Sequence, residues 1–408
     1  MNPVALSLRS FNENLTMKSS AITLLLLLSF LYASATDHKV STPEEFQKAA
    51  SILHPGDAII IANGNYSNWS LTIDTRGTAD KPIIIRAEIA GKVIFSGKAD
   101  KPVFRLTGAF TILSGLSFAD CRLLKGKTSS GILVELKNTL SCRVTECTFT
   151  RDTADAQYMP LVMISGNAED NRIDHCSFTG NIDNMEVQVR ISEKEVPQHT
   201  LIDQNVFRDK PRVSWKNANG GECVQVGQDP VLLGNQYAYS IVRSNRFIAC
   251  KGEAEVISNK SSGNSYIGNY LQDCDGELVM RGGHECIIDS NTIKGGTGGV
   301  RINGTHHTIS RNKLVGLPTG IRLMYGMAKG KEETGFYIAA SDCSITHNNI
   351  DSCGVGILIG DSKNADWTGK FDTNRYPSRV MQDIAPSANE LSNNVITRTK
   401  KPVLDDTQ

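Results

Sequence analysis

The chain has 408 residues, with 43 Lys+Arg balanced by 43 Asp+Glu, 40% hydrophobic and 21% charged residues. That balance excludes a disordered polyelectrolyte, and without surplus positive charge it also excludes a general electrostatic grip on nucleic acid. Length alone suggests two or three domains at about 150 residues each, a prior that internal repeats override.

The first element is an address. Ala21 to Leu31 is an unbroken apolar run apart from Thr23 and Ser29, preceded by Lys18 and followed by Ala33-Ser34-Ala35. A charged flank, an apolar stretch too short to span a bilayer and a small-x-small site define a signal peptide. Residues 1–35 are read as that peptide, with Met17 as the better start and 1–16 as a misassigned extension. The mature chain then begins near Thr36, is exported to the periplasm or the medium, and has no membrane span. Next, Pro43-Glu-Glu-Phe-Gln-Lys-Ala-Ala50 predicts a short helix with Ser41 or Thr42 as N-cap. It is expected to cap the open end of a repetitive β-structure downstream.

From about residue 105 a pattern recurs: β-formers, then Asn or Cys, any residue, and Phe, Ile or Leu. It runs through Leu116-Ser-Phe118, Cys147-Thr-Phe149, Cys176-Ser-Phe178, Asn205-Val-Phe207 and Asn245-Arg-Phe247. It continues through Asn269-Tyr-Leu271, Asn291-Thr-Ile293, Asn312-Lys-Leu314, Asn348-Asn-Ile350 and Asn394-Val-Ile396. The shortest steps are 21–24 residues, and longer steps read as that unit plus a loop. Short strands at this period predict one domain over 36–408, an all-β right-handed parallel β-helix in which equivalent positions stack into columns. The turn Asn is expected to take left-handed backbone angles and to bond the Asn above it. The ten Cys contain no C-x-x-C, and Cys121, Cys250, Cys274 and Cys353 share one repeat position. A buried column of free thiols is expected rather than disulfides.

Three successive coils carry charges that a plain solenoid does not need. In Glu253-Ala-Glu255, alternation is expected to turn both carboxylates outward, with Ala254 and Val256 inward. Adjacent like charges favour a hard cation between them, with Asn219 of the preceding coil as a further oxygen ligand. The bland alternative is two solvated glutamates. Lys260 falls on the opposite face by simple alternation, so Ser258-Asn259 is expected to turn and bring it back. Arg281 is expected to point outward over Ile257, and Arg301 and Arg322 to stack as unpaired arginines across an anionic ligand. A carboxylate-bound cation beside Lys260 and Arg281 suits β-elimination on a uronic-acid polymer, with Lys260 as base and Arg281 as acid or charge stabiliser. A β-helical glycosidase would instead use paired carboxylates. A non-catalytic binding solenoid is the third reading.

Asn219-Gly-Gly-Glu222, Gly252-Glu-Ala-Glu-Val-Ile-Ser-Asn-Lys-Ser261, Glu277-Leu-Val-Met-Arg281 and Gly299-Val-Arg-Ile302 resemble polysaccharide lyase family 6. This is the β-helical group of alginate lyases and chondroitinase B. The resemblance covers most of residues 38–400. It implies Ca²⁺ held by Asn219, Glu253 and Glu255, Lys260 as base, Arg281 as acid or charge stabiliser, and Arg301 and Arg322 as sugar contacts. The implied substrate is an acidic polysaccharide: alginate, with dermatan sulfate or another glycosaminoglycan as runner-up. Many members carry His directly after the catalytic Arg; here Gly282-Gly283 stand there, and His284 is the candidate substrate contact in its place. Endo cleavage by a monomer is expected.

Overall fold

In the computed structural model, which describes residues 35–407, the chain winds as a right-handed parallel β-helix. Each coil lays one short strand in each of three parallel sheets, which in chain order hold 13, 13 and 12 strands. The stacked coils form one compact unit, Asp37–Gln408. All but the last residue of the expected 1–35 leader lies outside the described residues. Among those described, no helix is long and apolar enough to cross a membrane.

Alternation along each short strand sends one residue inward per coil, and parallel register turns these residues into columns. In the first sheet the column runs Ile59, Ile85, Leu113, Val144, Ile173, Ile202, Val242, Tyr266, Ile288 and Ile309. In the second sheet the phenylalanines stack nearly parallel. Phe149–Phe178, Phe178–Phe207 and Phe207–Phe247 have ring centroids 4.6–4.7 Å apart. All ten cysteines are free and buried.

The Asn column sits at the turn from the first sheet to the second. Asn245 Nδ2 donates to Asn269 Oδ1 at 3.1 Å, Asn269 to Asn291 at 3.0 Å and Asn291 to Asn312 at 3.0 Å. Each oxygen also accepts the backbone N–H one coil below, as in Asn245 N to Asn269 Oδ1 at 3.1 Å. The asparagines are not the left-handed residues. Those are the preceding ones, Gln204, Ser244, Ser290 and Arg311, at φ 54–56°. The division is physical: one residue makes the corner, and the next points an amide inward to satisfy buried backbone.

The helix α1, Pro43–Ala50, is capped by Thr42, whose hydroxyl accepts Glu45 N–H at 3.2 Å, while Glu45 accepts Ser41 N–H at 2.7 Å. This reciprocal pair settles the choice between Ser41 and Thr42. Its buried face sets Phe46 edge-on to Trp69 and Phe104, covering the end of the interior columns.

Candidate active site

The charged groups gather on the outer face of the third sheet, on the strands Val224–Val226, Glu255–Lys260, Glu277–Gly282, Val300–Ile302 and Thr319–Met324. Two irregularities aim them. Between Glu255 and Ile257 the register against the next strand slips by one residue, leaving Val256 as a bulge. A bulge resets alternation, so Glu255, Ser258 and Lys260 share the outer face of one continuous strand. Ser258-Asn259 therefore does not turn. Asn259 points inward, donating to Ser261 O and Gly282 O at 2.8 Å each. A second slip, where Asn259 pairs with Met280 and Lys260 with Gly282, leaves Arg281 as the extra residue. Arg281 thus stands beside Lys260 and not over Ile257, which pairs with Leu278. Glu253 lies in a bend before the strand, where strand alternation does not apply, and Ala254 is exposed rather than inward.

Glu253 and Glu255 are joined by Glu222, the member that sequence reasoning did not place in the site. Carboxylate oxygens of all three lie within 4.8 Å of one another, and all three residues are buried. The coil offset that pairs Val224 with Ile257 also carries Glu222 onto Glu255, so the register held the missing signal. Asn219 is half-buried beside this nest. The next residue, Gly220, at φ 85°, donates its N–H to Glu253 Oε2 at 2.7 Å. Gln225 Nε2 donates to Glu222 Oε1 at 2.5 Å, and Ser258 Oγ to Glu255 Oε2 at 2.5 Å. Glu222 Oε2 is buried with no partner.

Cations ring the nest. Lys260 Nζ is 3.3 Å from Glu222 and 3.9 Å from Glu255; Arg281 Nη1 is 3.7 Å from Glu255, and Arg301 pairs with the same carboxylate. Burial and the charges of Glu222 and Glu255 push the Glu253 carboxyl up to about 9. At Glu255 burial acts in the same upward sense, but Arg281, Arg301 and Lys260 outweigh it and the carboxyl falls to about 2. Three crowded carboxylates, one with an unpartnered oxygen and one resisting ionisation, fit a hard cation held by Glu222, Glu253 and Glu255.

Arg301 and Arg322 do stack in register, but they are not unpaired. Arg322 Nε is 3.1 Å from Glu277, and its Nη1 is 2.7 Å from Asp361. Carboxylates two coils earlier and one coil later neutralise the column, so repulsion does not by itself call for a ligand. A cleft of about 510 Å³ opens beside Glu253, lined by Arg212, Asp275, Glu277 and Arg322 among others. His284 is not among the residues lining it: buried, it bonds Thr305 Oγ1 through Nδ1 at 2.8 Å, and burial, followed by Lys331, lowers its pKa to about 4. Two insertions outside the repeat wall the other flank. Phe336 and Tyr337 lie with ring centroids 5.2 and 5.5 Å from the Arg281 guanidinium, backed by Trp367 and Phe371.

Comparison with known proteins bears on the fold and the family. The family model described as Chondroitinase B matches residues 40–408. A mannuronic acid specific polysaccharide family 6 lyase from human gut microbiota superposes with a TM-score of 0.69 at 23% identity, over 89% of this chain and 82% of that one. A PL6 family polysaccharide lyase from Pseudopedobacter saltans gives 0.71 at 20%, over 90% and 91%. An alginate lyase in complex with G6 gives 0.66 at 18%, over 92% and 90%. No curated protein matches the chain in sequence. Fold and family match together define a β-helical polysaccharide lyase. The chain belongs to the chondroitinase B family, polysaccharide lyase family 6.

Proposed function

We propose that this lyase is exported, binds Ca²⁺ and cleaves alginate by β-elimination, leaving a 4,5-unsaturated uronyl end. The observation that carries it is the meeting of Lys260, Arg281 and the Glu222–Glu253–Glu255 nest on one wall of the β-helix. Alginate is favoured because similar folds are described as alginate lyases or as mannuronic acid specific. The family's own description keeps dermatan sulfate as the second substrate to test.

Glu222, Glu253 and Glu255 would hold the cation, with Asn219 beside them; when bound, it neutralises the uronate carboxylate and acidifies the adjacent C5–H. Lys260 removes that proton through its unprotonated amine. The C5–H electrons form the C4=C5 bond, and the C4–O4 bond breaks. Arg281, fixed by Glu255 and two aromatic rings, stabilises negative charge on the carboxylate or on departing O4. Arg301, paired with Glu255, and Arg322, paired with Glu277 and Asp361, line the same wall as hydrogen-bond donors for neighbouring uronates.

The test is ultraviolet absorbance of the conjugated product from alginate, its mannuronate and guluronate fractions, and dermatan sulfate, each with and without chelator. The proposal expects absorbance from alginate that chelation removes. New reducing ends without absorbance would mean a hydrolase, and binding without turnover in excess Ca²⁺ a non-catalytic solenoid.

A further inference from the structure

A lysine interrupts the cysteine column at the corner that leaves the second sheet. Lys210 follows the ladder residue Asn205 by the same five residues that separate Cys250 from Asn245 and Cys274 from Asn269. Its side chain is wholly buried, and a Cβ on Gly252 would come within 2.9 Å of its Cε. Lys260 is the other buried lysine among the described residues, and its partners are the carboxylates of Glu222 and Glu255. Lys210 differs, because it also meets a primary amide.

Lys210 Nζ lies 3.1 Å from Asn184 Oδ1, 3.3 Å from Asn181 O and 3.8 Å from Glu186 Oε1. Asn184 and Glu186 have no exposed surface either. The Asn184 amide is held one way round. Its Nδ2 donates to Asp152 O at 2.8 Å and to Ile182 O at 2.9 Å, so the carbonyl end meets the amine. Glu186 Oε1 accepts Asn181 Nδ2 at 3.0 Å, while Oε2 is buried without a partner. A buried ion pair with an unsatisfied oxygen is costly to keep. The cluster also holds what amide exchange requires: an amine nucleophile, a carboxamide and a carboxyl that can carry protons between them.

We propose that Lys210 and Asn184 become joined by an isopeptide bond that the folded chain makes itself. The Lys210 ammonium passes one proton to Glu186, and the freed amine attacks Asn184 Cγ. The Nζ–Cγ bond forms and the Cγ–Nδ2 bond breaks. A second Lys210 proton, relayed by Glu186, goes to the departing Nδ2, which leaves as ammonia. The products are a secondary amide, a protonated Glu186 carboxyl and one ammonia, so atoms and charge balance and the buried ion pair is gone. No oxidant, metal or substrate takes part, and the bond is independent of the proposed lyase activity. It links residues 26 apart in sequence and restricts the unfolded chain as a disulfide would, in a protein whose cysteines are all free.

The experiment weighs the purified full chain by mass spectrometry after denaturation, with its N-terminus determined, and then maps its proteolytic peptides. Wild type, Lys210→Met and Glu186→Gln are compared. Wild type should be lighter than its sequence by one ammonia and should yield a branched peptide joining Asn184 to Lys210. Both variants should show the full mass. Glu186→Gln keeps the shape of the side chain and removes the proton relay, and circular dichroism reports whether each variant has folded. If neither folds, the wild-type branched peptide alone decides. Wild type at its full sequence mass, without that peptide, would overturn the proposal. An ammonia loss that persists in Lys210→Met would overturn it too, marking an asparagine that cyclised onto its own backbone. The branched peptide formed undiminished in Glu186→Gln would contradict the role given to Glu186.

Discussion

Glu253 and Glu255 sit two residues apart, yet the fold drives them in opposite directions. Glu255 faces three cations, whereas Glu253 faces two carboxylates and only the Gly220 N–H at hydrogen-bond distance. A divalent ion would relieve both the crowding and the unpartnered Glu222 oxygen. Calcium at a hundred times its dissociation constant should therefore stabilise the fold by about 2.7 kcal/mol, read as a rise in melting temperature. Glu222→Gln should lose most of that rise; an unchanged rise would place the ion elsewhere. A second residue carries a pH signature. His307 stands at a different corner, just before a first-sheet strand, where an earlier coil uses Asn: its Nδ1 accepts Cys286 N–H at 3.0 Å, as Asn171 Oδ1 does from Cys142 at 3.0 Å. Burial, then His284, lowers its pKa to about 3, against about 6.5 unfolded. Only the unfolded chain gains that proton between these values. The contribution is thus complete above about pH 6.5 and is lost as pH falls toward 3. His307→Asn keeps that corner bond, so its melting curve should lose less than wild type on acidification from pH 7 to 5, and parallel curves would contradict this. At this scale the sequence revealed residue types but not partners. Glu222 was in view within a motif, yet only register shows that it meets Glu255.

A strand two or three residues long is held by its columns more than by its own propensity. The Asn ladder is the clearest case, because each amide satisfies a backbone N–H and a neighbouring amide at a buried corner. Asn291→Ala leaves those partners buried and unpaired, and should cost about 1–3 kcal/mol. Chemical denaturation measures it, and a loss within a few tenths of a kcal/mol would show the ladder to be decorative. This periodic layer was the most legible part of the chain: the Asn-x-Phe spacing predicts the stacking, the inward aromatics and the free thiols. The bulges at Val256 and Arg281 were not legible. Simple alternation has no term for an inserted residue, so it placed Lys260 on the wrong face and invented a turn at Ser258-Asn259. Those two slips bring the amine and the guanidinium to one side.

Across the molecule, the repeat builds a uniform cylinder and the departures from it build the site. The long steps of the ladder mark the insertions that carry Phe336, Tyr337 and Trp367, but their composition has no period from which to infer where they fold. Arg281 consequently read only as pointing outward, whereas it is enclosed between Glu255 and an aromatic wall. The central claim is that Lys260 acts on a uronate held against this wall. The most direct measurement is the unsaturated product formed from alginate by wild type and by Lys260→Ala, each with its alginate affinity measured in parallel. Lys260→Ala should bind within a few-fold of wild type and form product at least about 10²-fold more slowly. Undiminished turnover, or a loss fully explained by failure to bind, would contradict the account.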